Sequence, residues 1–79
     1  MYSLTDHYDE IHGKKLKVIY MSGRETIGDY DGIYSGIEYD SDYDRLALDL
    51  GSGKTGIYVT EDEIKDIVVV GERDRPWLD

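Results

Sequence analysis

Seventy-nine residues suffice for one hydrophobic core and not for two, and this chain carries 18 acidic against 9 basic residues, a formal net charge of -9. It has no cysteine, which excludes a disulfide framework and any thiolate metal site. So acidic a surface repels phosphate backbones and anionic membranes and attracts basic partners.

No stretch approaches the roughly 20 apolar residues of a membrane span; the longest is Ile67, Val68, Val69 and Val70. The opening, Met1 to Asp6, has neither a basic region nor an apolar run. No signal peptide is expected, and with cysteine absent the expected location is cytoplasmic. Abundant tyrosine and well-spread β-branched residues supply apolar material for a folded core.

In chain order, Ser3 is placed as a helix N-cap whose hydroxyl accepts from the Asp6 amide. Leu4, Tyr8 and Ile11 then follow at helical spacing. A short helix over about 3–12 is expected, ended at Gly13 by a left-handed residue. The period then changes to alternation: Leu16, Val18 and Tyr20 point one way, Lys15, Lys17 and Ile19 the other, in a strand over 14–21. Ser22 and Gly23 form a turn.

The run over 25–39 contains Gly28, Gly32 and Gly36 at regular spacing and predicts one long, strongly curved strand. Asp40 to Asp44 forms a turn. A half-buried strand over 45–50 follows, with Leu46, Leu48 and Leu50 on one face and Arg45, Ala47 and Asp49 on the other. Gly51 to Lys54 reads as a hairpin loop, residues 55–60 as a strand, 61–63 as one helical turn, and 64–70 as a closing Val/Ile-rich strand. The domain is expected over 1–71, with 72–79 a charged tail carrying Pro76 and Trp77. Five short strands leave exposed edges unless the sheet closes. The expected fold is therefore mainly β, a small five-stranded, strongly bent barrel with a short N-terminal helix.

The order of these elements resembles the small β-barrels of the Sm-like and SH3-like class. The local match is Val18 to Gly28, where a Gly23-Arg24 turn ends one strand and Gly28, five residues on, bends the next. Glu63 to Ile67 resembles the helical turn into the closing strand. Sm-like proteins hold RNA with an Asp/Asn pair and an Arg-Gly pair. This chain has no asparagine, and Thr55 to Tyr58 offers no arginine. No RNA-binding residue carries over.

Motifs for chemistry are sparse. Gly51 to Thr55 looks like part of a phosphate-binding loop, but Leu48 stands where the first glycine is required and a strand follows. Asp40, Asp42 and Asp44 match the first three ligands of a calcium loop. Arg45 stands at the glycine position of that loop, and Gly51 where the bidentate glutamate belongs. His7 and His12 are five residues apart, which on a helix points them in different directions. No cofactor and no enzymatic activity is expected.

The most suggestive feature is interleaved tyrosine and aspartate: Asp29, Tyr30, Asp31, Tyr34, Tyr39, Asp40, Asp42, Tyr43 and Asp44, with Trp77 as a separate aromatic handle. Spaced carboxylates can imitate a phosphate array, and tyrosine gives contact area at low entropic cost. The same residues also suit an ordinary strand face with solvated acids opposite.

The function expected first is a non-enzymatic acidic module that binds a protein partner with a basic surface, with no direct binding to nucleic acid or membrane. An acidic nucleic-acid mimic that blocks a basic nucleic-acid-binding protein comes second. An Sm-like RNA-binding ring subunit comes third.

Overall fold

The computed structural model describes residues 1–51 and 56–72, the side chain of Tyr39 excepted. The expected hairpin loop and phosphate-loop likeness over 51–55, the first residue of the strand over 55–60, and the tail with Pro76 and Trp77 therefore lie wholly or largely outside the described residues.

The N-terminal segment is less helical than its spacing predicts. Helix α1 covers only Tyr8–Ile11, and the residues before it form turns, with His7 N donating to Leu4 O at 3.3 Å and Tyr8 N to Thr5 O at 3.4 Å. Ser3 does accept from the Asp6 amide, at 3.4 Å. A segment this short cannot sustain a helix by itself, so its shape follows its anchors. Leu4 and Ile11 are buried at its two ends, and Leu4 N donates to Glu61 Oε2 at 2.8 Å. Gly13 turns the chain in the left-handed region, at φ 69°.

Strand β1 is Lys14–Tyr20 and pairs antiparallel with β2, Glu25–Tyr34. β2 ends five residues before the expected boundary at 39, because residues Gly36–Tyr39 form a short 3-10 helix, η1. The Ser35 hydroxyl accepts from Ile37 N at 3.2 Å and starts that turn. The three evenly spaced glycines thus serve three different purposes. Gly28 lies against the β3 backbone and Leu50, where a Cβ would sit 3.1 Å from Asp49 O. Gly32, at φ 130°, marks a bulge where the β2–β3 register skips Asp31. Gly36 closes the loop after the strand.

Strand β3 is Arg45–Asp49 and β4 is Ile57–Thr60. The expected helical turn is present as η2, Glu61–Glu63, leading into β5, Ile64–Glu72. β5 runs two residues beyond the expected end at 70. Lys14 faces Glu72 in the β1–β5 ladder, and their side chains form an ion pair at 2.7 Å.

The five antiparallel strands form one sheet in the order β4-β3-β2-β1-β5, so the protein is mainly β, as expected. Among the described residues no ladder joins β4 to β5. Their ends are tied instead through η2, where Glu61 N donates to Asp44 O at 3.0 Å and Met21 N to Glu63 O at 2.9 Å.

Inside the curl, Leu16, Val18, Tyr30, Leu46, Leu48, Val59 and Ile64 form the core, and Leu4 and Ile11 cover it. Leu46 and Leu48 are buried as the alternation requires, whereas Leu50 is only half-buried. Ala47, expected among the solvent-facing residues, is 5% exposed, so the other face of β3 is covered too.

Candidate interaction surface

What covers that second face is aromatic. Across the sheet, Gly32, Ala47 and Tyr58 lie in one register row, and Tyr34, Arg45 and Thr60 in the next. Glycine and alanine leave space above the strands. The Tyr34 ring takes it, since a Cβ on Gly32 would touch that ring at 3.4 Å. The Tyr34 and Tyr58 rings meet edge to face, with centroids 5.9 Å apart, a favoured arrangement of ring quadrupoles. The Arg45 guanidinium lies 6.0 Å from the centre of the Tyr58 ring, within cation–π reach. Tyr58 remains 56% exposed, so the pair is an ordered aromatic platform open to solvent.

The other sequence-selected residues separate around this platform. Asp31, pushed out by the bulge, is exposed, as are Asp40 and Asp42 in the turn after η1. Asp29 is 5% exposed. It stands in a row with Lys15 on β1 and Asp49 on β3, and its buried Oδ1 has no hydrogen-bond partner. Asp44 is structural, since its Oδ1 accepts from Gly36 N at 2.9 Å. Tyr30 is buried on the core side, edge-on to His12 at 5.2 Å and to Tyr8 at 6.4 Å. Tyr43 is half-buried, with its amide donating to Ser41 Oγ at 3.2 Å. Tyr39's side chain and Trp77 lie outside the described residues.

The interleaved segment therefore does not form one acidic face. Its period is broken by the bulge at Asp31 and by η1, neither of which alternation can show. Among the described residues no three His, Cys, Asp or Glu side chains are placed to hold a metal. The calcium candidate Asp40, Asp42 and Asp44 accordingly does not assemble; Asp44 is committed to the loop and Asp40 sits in a left-handed conformation at φ 55°. The two histidines also part. His7 stacks on Tyr2 with centroids 4.4 Å apart and its Nδ1 lies 2.8 Å from Ser3 O, while His12 joins Tyr8 and Tyr30.

A second feature was not legible in the sequence. A cleft of about 640 Å³ opens between the N-terminal turns and the η2–β5 junction, with Tyr2, Asp6 and His7 on one wall, Asp62, Ile64 and Asp66 on the other, and Met21 beside them. Burial, with Glu10 and Asp66 nearby, pushes the Tyr2 phenol up to about 12. Only the docking of Leu4 onto Glu61 and the core brings residues 2–7 against residues 62–66. No spacing within the chain carries that information.

No family model matches the chain, and neither the curated proteins nor the solved structures compared with it give a match. No described helix is long and apolar enough to cross a membrane.

Proposed function

We propose that this protein is a non-enzymatic interaction module that docks a basic protein surface through the Tyr34–Tyr58 platform and the exposed carboxylates near it. The single observation that carries this reading is the platform itself. Two edge-to-face tyrosines, one of them more than half exposed, are held over small residues on a rigid sheet. Tyrosines so held lose little entropy on binding and serve as anchors at interfaces. Asp31, Asp40 and Asp42 belong to the strand and turn that flank Tyr34, and the net charge of -9 favours approach of a basic partner.

The nucleic-acid mimic has less support. It needs a phosphate-like array, and Asp29 is buried while Asp44 closes a loop. An RNA-binding ring has the charge against it. At the finer level of fold, we read the order β4-β3-β2-β1-β5, with a helical turn before the last strand, as an Sm-like or SH3-like small barrel whose surface, not its interior, does the binding.

The test is affinity capture from a native lysate by the full chain and by a Tyr58→Ala/Asp31→Asn variant. The expected result is a basic protein retained by the first, lost by the second, and released when salt rises from about 0.1 M to about 0.5 M, which shortens electrostatic range. Equal capture by both chains would refute the platform.

A further inference from the structure

We propose that the open edge of β5 pairs with the same edge of a second copy of this chain, antiparallel about a two-fold axis at Val68, so that the five-stranded sheet of one copy continues into that of the other. The inference goes beyond the tyrosine platform and uses the opposite end of the sheet. A dimer built this way carries one platform towards each end, which gives the module two-point attachment.

Four observations converge on it. First, the two edges of the sheet are unequal. β4 is four residues long and runs straight into η2, and natural sheets keep an edge from pairing by such shortness. β5 is nine residues long, seven of them exposed, and among the described residues it pairs only with β1. Even a closed barrel would leave most of β5 open, since β4 has four residues to set against its nine.

Second, the backbone of β5 turns towards that edge. The Ile67 amide donates to its neighbour's side chain, Asp66 Oδ1, at 2.9 Å, and so faces away from β1. Alternate residues of an antiparallel edge strand turn both backbone groups outward, which puts Ile67 and Val69 on the open side together. An axis at Val68 sets Ile67 of each copy against Val69 of the other. Each such pair then exchanges both of its backbone hydrogen bonds.

Third, the side chains suit a copy of themselves. Val68, Val69 and Val70 are 40%, 43% and 46% exposed. Val69 stands opposite Leu16 on the core side of the sheet, yet only Leu16 is buried, so the hydrophobic core ends open at β5. Ile67 of the second copy, set opposite Val69, extends that core across the axis. Fourth, charge selects this register. With the axis at Val68, Asp66 meets Val70 and Lys65 meets Gly71. Moving the axis to Val69 sets Asp66 against Glu72, and like charges directly opposite destabilise a pair. Moving it to Ile67 sets Asp66 and Lys65 against Val68 and Val69 and loses apolar pairs. The irregularities of the β1–β5 ladder bracket residues 66–69, so the contact is short, and the two-fold closes it at a dimer.

Each copy carries a net charge of -9, and the contact forms against that repulsion, so salt strengthens it, the opposite of its effect on a basic partner. The test is sedimentation velocity on the full chain from about 10 µM to about 1 mM, a range that spans the weak affinity of a contact below about 1,200 Å². A dimer is expected at the upper end. Raising salt from about 0.1 M to about 0.5 M shortens the screening length from about 10 Å to about 4 Å and is expected to tighten the dimer about fivefold. Val68→Lys sets two ammonium groups face to face at the axis and is expected to weaken it about tenfold or more. Ile37→Lys makes the same charge change on η1, at a residue 90% exposed, and is expected to leave it within about twofold.

Hydrogen exchange on the natural chain supplies a readout that needs no variant: the Ile67 and Val69 amides are expected to slow as the protein is concentrated. The proposal is overturned if the chain stays monomeric at about 1 mM in about 0.5 M salt, if salt weakens the association, or if both lysine variants weaken it alike. It is overturned equally if the Ile67 and Val69 amides are fully protected in the monomer, since another segment of the same chain then fills the edge. Tyr58→Ala/Asp31→Asn is expected to dimerise as the natural chain does, so the edge and the platform stand or fall separately.

Discussion

Gly36→Ala tests most sharply how the acidic turn is built. A Cβ at this position would lie 2.5 Å from the Tyr43 carbonyl oxygen and 2.7 Å from that of Ser41. Both are backbone atoms, so no side-chain rotation relieves the clash. The loop must open, and it is held at this residue by Gly36 N donating to Asp44 Oδ1 at 2.9 Å and by Gly36 O accepting from Ser41 N at 2.8 Å and from Asp40 N.

Overpacking costs about 1–3 kcal/mol, and a lost bond to a charged acceptor about 1.5–3 kcal/mol. The two partly overlap, so the expected destabilisation is about 3 kcal/mol. A chain of this length has a total stability of only about 4–12 kcal/mol. The melting temperature should therefore fall by about 12–24 °C. Urea unfolding followed by tyrosine fluorescence and circular dichroism gives the free energy directly. Gly71→Ala is the internal control: an added Cβ there meets nothing within 4 Å, and alanine loses less entropy than glycine on folding, so the change should gain about 0.5–1 kcal/mol or be neutral. If Gly36→Ala unfolds within about 0.5 kcal/mol of the natural chain, the close-packed loop described above is wrong.

Two further outcomes follow from the N-terminal wall and from η2. Because the folded protein holds the Tyr2 phenol up to about 12, above its ordinary value of 10.0, its contribution to stability is whole below pH 10 and is lost as pH rises toward 12; Tyr2→Phe should flatten the unfolding midpoint across that window, and an unchanged slope would contradict the burial and the carboxylates assigned as the cause. Thr60→Val preserves shape but removes the hydroxyl that donates to Glu63, and should cost about 1 kcal/mol while speeding hydrogen exchange at Met21, whose amide bonds to Glu63 O.

Local chemistry made much of this fold legible. Alternation marks the core faces of β1 and β3 through Leu16, Val18, Leu46 and Leu48, and the acid-rich stretch before Ile64 forms the single helical turn its composition predicts. Gly13 stood where a left-handed residue was needed. These features follow from side-chain direction within a few neighbouring residues, which any chain carries in its order. The boundaries failed where a side chain reached out of its own element. Asp44 bonding to Gly36 converted the end of the expected long strand into η1, and the Leu4–Glu61 bond held residues 4–7 as turns where spacing favoured helix.

The acidic character, the lack of cysteine chemistry and the β-rich pattern were set by composition and periodicity alone. Tertiary packing decided which of those acids stay at the surface. It buried Asp29 between two strands, spent Asp44 on a loop, brought Tyr58 against Tyr34 across β3, and gathered Asp6, Asp62 and Asp66 around one cleft. The reason is physical: alternation tells a residue which side of its strand it occupies, but only strand pairing and the docking of the N-terminal turns determine what stands opposite it.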